Sequence, residues 1–119
     1  MAKVLVVDDA AFMRVRAVKV LQEAGHDVAE AENGRDAVTQ YAAWRPDVVL
    51  MDITMPEMDG LSALKEIKQL DPSAKVSMVT AMGQQAIVME ALRAGARDFV
   101  LKPFQPDRVL ASLRKLLAA

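Results

Sequence analysis

VLVVDDAAF, residues 4–12, runs from a strand-length apolar segment straight into two adjacent carboxylates, then returns to apolar residues. Two like charges about 4 Å apart repel by roughly 4 kcal/mol at an effective dielectric of 20. That is a large fraction of the roughly 5–15 kcal/mol that keeps a whole domain folded. A cation is therefore expected beside Asp8 and Asp9, and the rest of the chain must say which one.

Working outward, the same motif of an apolar run recurs five times, at KVLVV (3–7), DVAEA (27–31), DVVLM (47–51), KVSMV (75–79) and DFVL (98–101). Between the runs the apolar residues space out at helical intervals. Met13, Ala17, Val20, Leu21 and Ala24 form one stripe, ended by Gly25. Ala37, Val38, Tyr41 and Ala42 form the second, with Asn33 placed to cap it. Leu61, Leu64, Ile67 and Leu70 follow the turn residues Asp59-Gly60, and Ile87, Val88, Ala91 and Leu92 are closed by Gly95. Val109, Leu110, Leu113, Leu116 and Leu117 make the fifth, with Pro106 suited to its first turn.

Strict alternation of strand and helix implies an α/β fold, a parallel sheet covered by helices on both faces. Runs one, three and four are the most uniformly apolar and belong at the centre. Run two carries Asp27 and Glu30, and run five is bracketed by charge, so both suit edges. The expected strand order is 2-1-3-4-5, the flavodoxin-like doubly wound sheet.

In such sheets ligands bind beyond the carboxyl ends of the strands, where the strand order reverses. Here that point lies between runs one and three. Asp8 and Asp9 end run one, Asp52 ends run three, Thr80 ends run four and Lys102 ends run five. Three carboxylates without His or Cys make a hard-oxygen site that suits Mg²⁺ better than zinc or copper. Lys102 and the Thr80 hydroxyl are a cation and a donor of the kind that hold phosphoryl oxygens. Each residue also has a plainer reading: Asp9 as the cap of the first helix, Asp52 as a loop acid, Lys102 as a solvated lysine and Thr80 as a turn hydroxyl. Those readings must all hold together at four strand ends.

Composition narrows the function further. The chain of 119 residues fits one domain spanning 1–119, and 53% hydrophobic with 26% charged residues is a globular balance. A net charge of −1 without a dense basic block points to neither nucleic acid nor a membrane as partner. No signal segment opens the chain and no apolar stretch approaches the roughly 20 residues of a membrane span, so a cytoplasmic protein is expected. Cysteine is absent, which excludes thiolate catalysis and disulfides. Neither GxxxxGK[ST] nor GxGxxG occurs, so a nucleotide phosphate cradle has no support. His26 reads as a surface residue, Met51 and Met78 as core, Tyr41 and Trp44 as packing, and Met55, Met58 and Met82 as loop residues at the acid end.

With VVDD (6–9), MDITMPEMDG (51–60), VTAMG (79–83) and FVLKPF (99–104) in hand, the chain resembles response-regulator receiver domains, above all the single-domain chemotaxis type. The resemblance covers residues 3–117. It implies that Asp52 is the phosphoacceptor, taking a phosphoryl group from the phosphohistidine of a histidine kinase. It also implies that Asp9 and Asp52 bind Mg²⁺ with the Thr54 backbone carbonyl, and that Asp8 does so through water. Lys102 would contact the phosphoryl group, ahead of a cis Pro103, and Thr80 with Phe99 would be the switch pair. The face made by the fourth helix, fifth strand and fifth helix would meet a protein target such as a flagellar-motor switch component. The implied protein is a monomeric regulatory phosphoacceptor rather than an enzyme. With no output domain after Ala119, its product is expected to be a changed protein–protein affinity.

Two residues depart from the family's habit. Phe99 stands where chemotaxis regulators often have tyrosine, so no phenolic hydroxyl serves the switch, and Ile53 replaces a common tryptophan beside the acceptor. A phosphorelay intermediate and a stand-alone receiver of another pathway are the nearest alternatives. A phosphatase of the haloacid-dehalogenase type would place D-x-D after the first strand, whereas these acids are adjacent and the proposed nucleophile follows the third. A receiver-like scaffold that is never phosphorylated would be marked by loss of Asp52 or Lys102, and both are present.

Overall fold

The computed structural model describes residues 1–53, 55, 57–81, 83–103 and 105–118. Strands and helices alternate as β1 (Lys3–Val7), α1 (Ala11–Glu23), β2 (Asp27–Ala31), α2 (Gly34–Trp44), β3 (Val48–Asp52), α3 (Gly60–Leu70), β4 (Val76–Thr80), α4 (Gln85–Arg93), β5 (Asp98–Leu101) and α5 (Pro106–Ala118). The five strands form one parallel sheet in the order β2-β1-β3-β4-β5. β3 and β4 are buried at every residue, while β2 and β5 keep partly exposed positions, as the charge in their runs implies.

Each sheet face has its own core. Leu5, Val7, Val49, Met51, Val76 and Met78 pack with Tyr41 of α2, Leu64 and Ile67 of α3 and Val88 of α4. Val4, Val6, Val48, Leu50, Val79 and Val100 pack with Leu21 of α1 and Leu113 and Leu116 of α5. The division follows from the two-residue period of a strand, which sends alternate side chains to opposite faces. The second core holds one polar pair: the buried hydroxyls of Ser77 on β4 and Ser112 on α5 lie 2.7 Å apart. Among the described residues no helix is long and apolar enough to cross a membrane.

Relative to the sequence reading, β3 and β4 each begin and end one residue later. Asp52 and Thr80 are thereby the last rungs of the ladder itself, opposite Val79 and Leu101. Asn33 caps α2 by accepting from the Asp36 amide at 2.7 Å, and Asp59 caps α3 through the Ser62 amide at 2.8 Å. The cap reading of Asp9 fails: the N-cap of α1 is Ala10, with no side-chain cap. His26 is half-buried rather than a plain surface residue, and its Nδ1 accepts the Ala2 amide at 3.1 Å, tying down the start of β1.

Candidate functional site

Strand parity builds the site. Asp8 continues the alternation of Val4 and Val6, Asp52 that of Val48 and Leu50, and Lys102 that of Val100. All three therefore emerge on the sheet face covered by α1 and α5, at the carboxyl edge. The Lys102 ammonium lies 3.0 Å from Asp8 Oδ2 and 3.1 Å from Asp52 Oδ1, with both carboxylates buried. The Lys102–Pro103 peptide is cis, as the sequence reading expects, and the Lys102 amide donates to the Thr80 carbonyl at 2.7 Å. The cation sought beside the acid pair is thus a lysine, and it bridges Asp8 to Asp52 rather than Asp8 to Asp9.

One lysine does not balance the site. Burial, and next the charge of Asp8, raise the Asp52 carboxyl above the ordinary carboxylate range despite the opposing pull of Lys102. For Lys102, burial pulls the ammonium down, but the hydrogen bond to Asp8 and the charge of Asp52 outweigh it and raise its pKa. The two directions agree once the stoichiometry is counted: the lysine has two acids, whereas Asp52 has half a lysine and a repelling neighbour. A carboxylate held in this way is a better nucleophile than an ordinary aspartate.

Asp9 completes a trio in which one carboxylate oxygen from each of Asp8, Asp9 and Asp52 lies within 4.8 Å of the others. Three carboxylates and one ammonium leave two net negative charges, matching a divalent cation, and every donor is a hard oxygen. The residues fit Mg²⁺. The Thr54 carbonyl, a metal ligand implied by the receiver resemblance, lies outside the described residues, as does Met82. Asp9 is exposed and is not the cap of α1. Asp9→Ala should therefore hold or slightly raise metal-free stability, within about 0.5 kcal/mol, while weakening Mg²⁺ binding at least about tenfold. Melting with chelator and calorimetric titration with Mg²⁺ check both halves, and a clear fall in metal-free stability contradicts the assignment.

Thr80 and Phe99 lie on the other face. Phe99 stands opposite Met78 in the ladder, one side-chain step behind Thr80 on the same side of the sheet. The two line a cavity of about 240 Å³ between α4 and β5, together with Gln84, Val88, Leu92 and Leu101. The buried Thr80 hydroxyl donates to Gln84 Oε1 at 2.7 Å.

Three residues that support the site went unread in the sequence. Arg14 donates to the Asp8 carbonyl at 2.7 Å and to Glu30 at 3.1 Å, pinning the loop that carries both acids. Gln84 holds Thr80. Gly60 opens α3 so close to β3 that a Cβ there would collide with the Asp52 carbonyl, while its amide donates to the Ile53 carbonyl at 2.7 Å. The loop between carries positive φ at Glu57 (60°) and Met58 (131°), uncommon for residues with a side chain. Of these, only Gly60 had a signal, its place in the Asp-Gly turn. Gly60→Ala should cost about 1–3 kcal/mol by forcing backbone from backbone. An unchanged urea midpoint would contradict the close approach.

Comparison with known proteins matches the response regulator receiver domain family over residues 4–114. The chemotaxis protein CheY of Thermotoga maritima is 56% identical over 115 residues, covering 96% of each chain. CheY of Bacillus subtilis is 57% identical over 116 residues, covering 97% of each. Among solved structures, Vibrio cholerae chemotaxis protein CheY4 superposes with a TM-score of 0.92 at 33% identity, over 98% of this chain and 99% of that one.

Proposed function

The chain belongs to the response regulator receiver family, and from that premise we propose that it is a phosphorylation-activated regulator of a two-component system serving chemotaxis. Asp52 is the phosphoacceptor and a histidine kinase the donor. Residues 1–119 act as a single receiver domain in the cytoplasm, without nucleic acid or membrane as partner. The protein is a monomeric phosphoacceptor that supports its own phosphorylation and dephosphorylation, not an enzyme acting on other substrates. The observation that carries this reading is the Lys102 ammonium held between Asp8 and Asp52 at 3.0 and 3.1 Å.

The residues divide the work. Asp52 presents a carboxylate whose basicity is raised by burial and by Asp8. Its oxygen attacks the phosphorus of a phosphohistidine, and the imidazole leaves. Lys102 already touches Asp52, so it need only follow the added oxygens to neutralise their charge. Asp8, Asp9 and Asp52 would hold Mg²⁺, with the Thr54 carbonyl as a further ligand; when bound, the ion supplies positive charge against the transferring phosphoryl oxygens. Turning Thr80 toward the phosphoryl group leaves room for Phe99 to move into the adjoining cavity. That reshapes the face of α4, β5 and α5 read by a protein target, with a flagellar-motor switch component the proposed one. The hydrogen bond need only bias two packings a few kcal/mol apart.

The test is transfer from a phosphohistidine. A radiolabelled, autophosphorylated kinase of a chemotaxis system is mixed with the chain and Mg²⁺. One acid-stable, base-labile phosphoryl group per chain is expected; no label on the chain contradicts the reading.

A further inference from the structure

Thr80 has one hydroxyl proton, and the structure shows where it goes. The hydroxyl oxygen lies 2.7 Å from Gln84 Oε1 and 3.2 Å from the Ala81 carbonyl, so the closer amide oxygen takes the proton. The same Oε1 also accepts the Ala81 amide at 3.0 Å. A single side-chain oxygen thus closes over both the end of β4 and the first peptide beyond it. Gln84 is the residue just before α4, and it also borders the cavity that Phe99 lines.

A hydroxyl that donates to Gln84 cannot at the same time donate to an oxygen carried by Asp52. The contact is buried on the Thr80 side, where an exchange with water does not readily offset its loss. We propose that Gln84 is a latch: a positioning residue that holds Thr80 and the β4–α4 loop in the resting arrangement and sets how easily the switch turns. This rests on the reading of Asp52 as phosphoacceptor and adds to it the residue that opposes the switch. Removing the amide oxygen leaves the Thr80 proton only the longer contact to the Ala81 carbonyl, so it is more readily given to a phosphoryl oxygen. The competent arrangement is then more populated, and a ligand that needs it binds more tightly by the same factor.

The probe is beryllofluoride with Mg²⁺, a tetrahedral anion that stands in for a phosphoryl group on a carboxylate, titrated by calorimetry. Gln84→Ala should tighten its binding about three- to tenfold, the range of a lost side-chain hydrogen bond. In a Thr80→Val background, which keeps the shape and lacks the hydroxyl, the same substitution should change nothing, because the latch has nothing to hold. Gln84→Met, of similar length and without the amide oxygen, should behave like Gln84→Ala and serves if alanine disturbs the start of α4. Unchanged or weaker binding in a folded Gln84 variant would overturn the latch, as would equal tightening in the Thr80→Val background. If the parent chain itself does not bind beryllofluoride, the phosphoacceptor reading falls and the latch with it; if the parent binds and the variants do not tighten, only the latch falls.

Discussion

Lys102→Met is expected to destabilise the metal-free protein by about 2 kcal/mol at neutral pH. Methionine keeps the apolar stem but leaves Asp8 and Asp52 facing each other, both buried, without the ammonium between them. Losing one partner of a buried pair costs about 3–5 kcal/mol; the Lys102 side chain is 23% exposed, which reduces that figure. The pH dependence has a definite sign. The Lys102 pKa is raised in the fold, so its contribution is present throughout the range below the ordinary lysine value and is lost as pH rises through the raised one. On the acid side, Asp52 has a raised pKa and takes up a proton early, so the penalty of the mutation shrinks as pH falls through its titration. The same substitution removes a cation that competes for the metal's ligands, and Mg²⁺ binding should tighten even though phosphoryl transfer is lost. Urea denaturation across pH with chelator, and Mg²⁺ titration at neutral pH, check these outcomes. A variant as stable as the parent would mean that the lysine bridge contributes nothing in solution.

Asp52→Asn should abolish phosphoryl uptake and at the same time make the metal-free protein more stable, by about 1–2 kcal/mol at neutral pH. The two effects share one cause. Burial and the neighbouring charge of Asp8 raise the Asp52 pKa, so its charged form is a net cost to the fold. A raised acid contributes its stability below the ordinary carboxylate value and forfeits it as pH rises through the raised pKa. The gain from asparagine should accordingly be full at neutral pH and vanish as pH falls through the carboxyl titration. Asparagine keeps an oxygen that accepts from Lys102, and Asp8 keeps its ion pair, so no buried cation is stranded. Equal stability of parent and variant across this range would show that Asp52 is not held under electrostatic tension.

The fold was legible because its signals are local and periodic. Five β-branched runs separated by helical stripes leave few alternatives to a parallel sheet, and the charge in DVAEA and around DFVL pushes those runs to the edges where they are found. Asp8, Asp52 and Lys102 were legible for a related reason: each is the first polar residue after an apolar run, and parallel strands bring such residues to one edge. The identity of the resting cation was less so. The sequence poses a repulsion between Asp8 and Asp9, yet Asp9 is exposed and relieved by water, while the costly contact is Asp8 with Asp52 across two strands. Gln84 and Arg14 could not be read at all, since a glutamine before a helix and an arginine on a solvated face look alike whether or not they reach a neighbouring strand end. Contacts of that kind depend on loop geometry that no spacing encodes.

Intact-mass analysis after incubation with a small acyl phosphate tests the phosphoacceptor role of Asp52 most directly. Parent protein with Mg²⁺ should gain the mass of one phosphoryl group, and should gain none with chelator or after Asp52→Asn. Uptake that persists in Asp52→Asn, or that proceeds at the same rate without Mg²⁺, would contradict it.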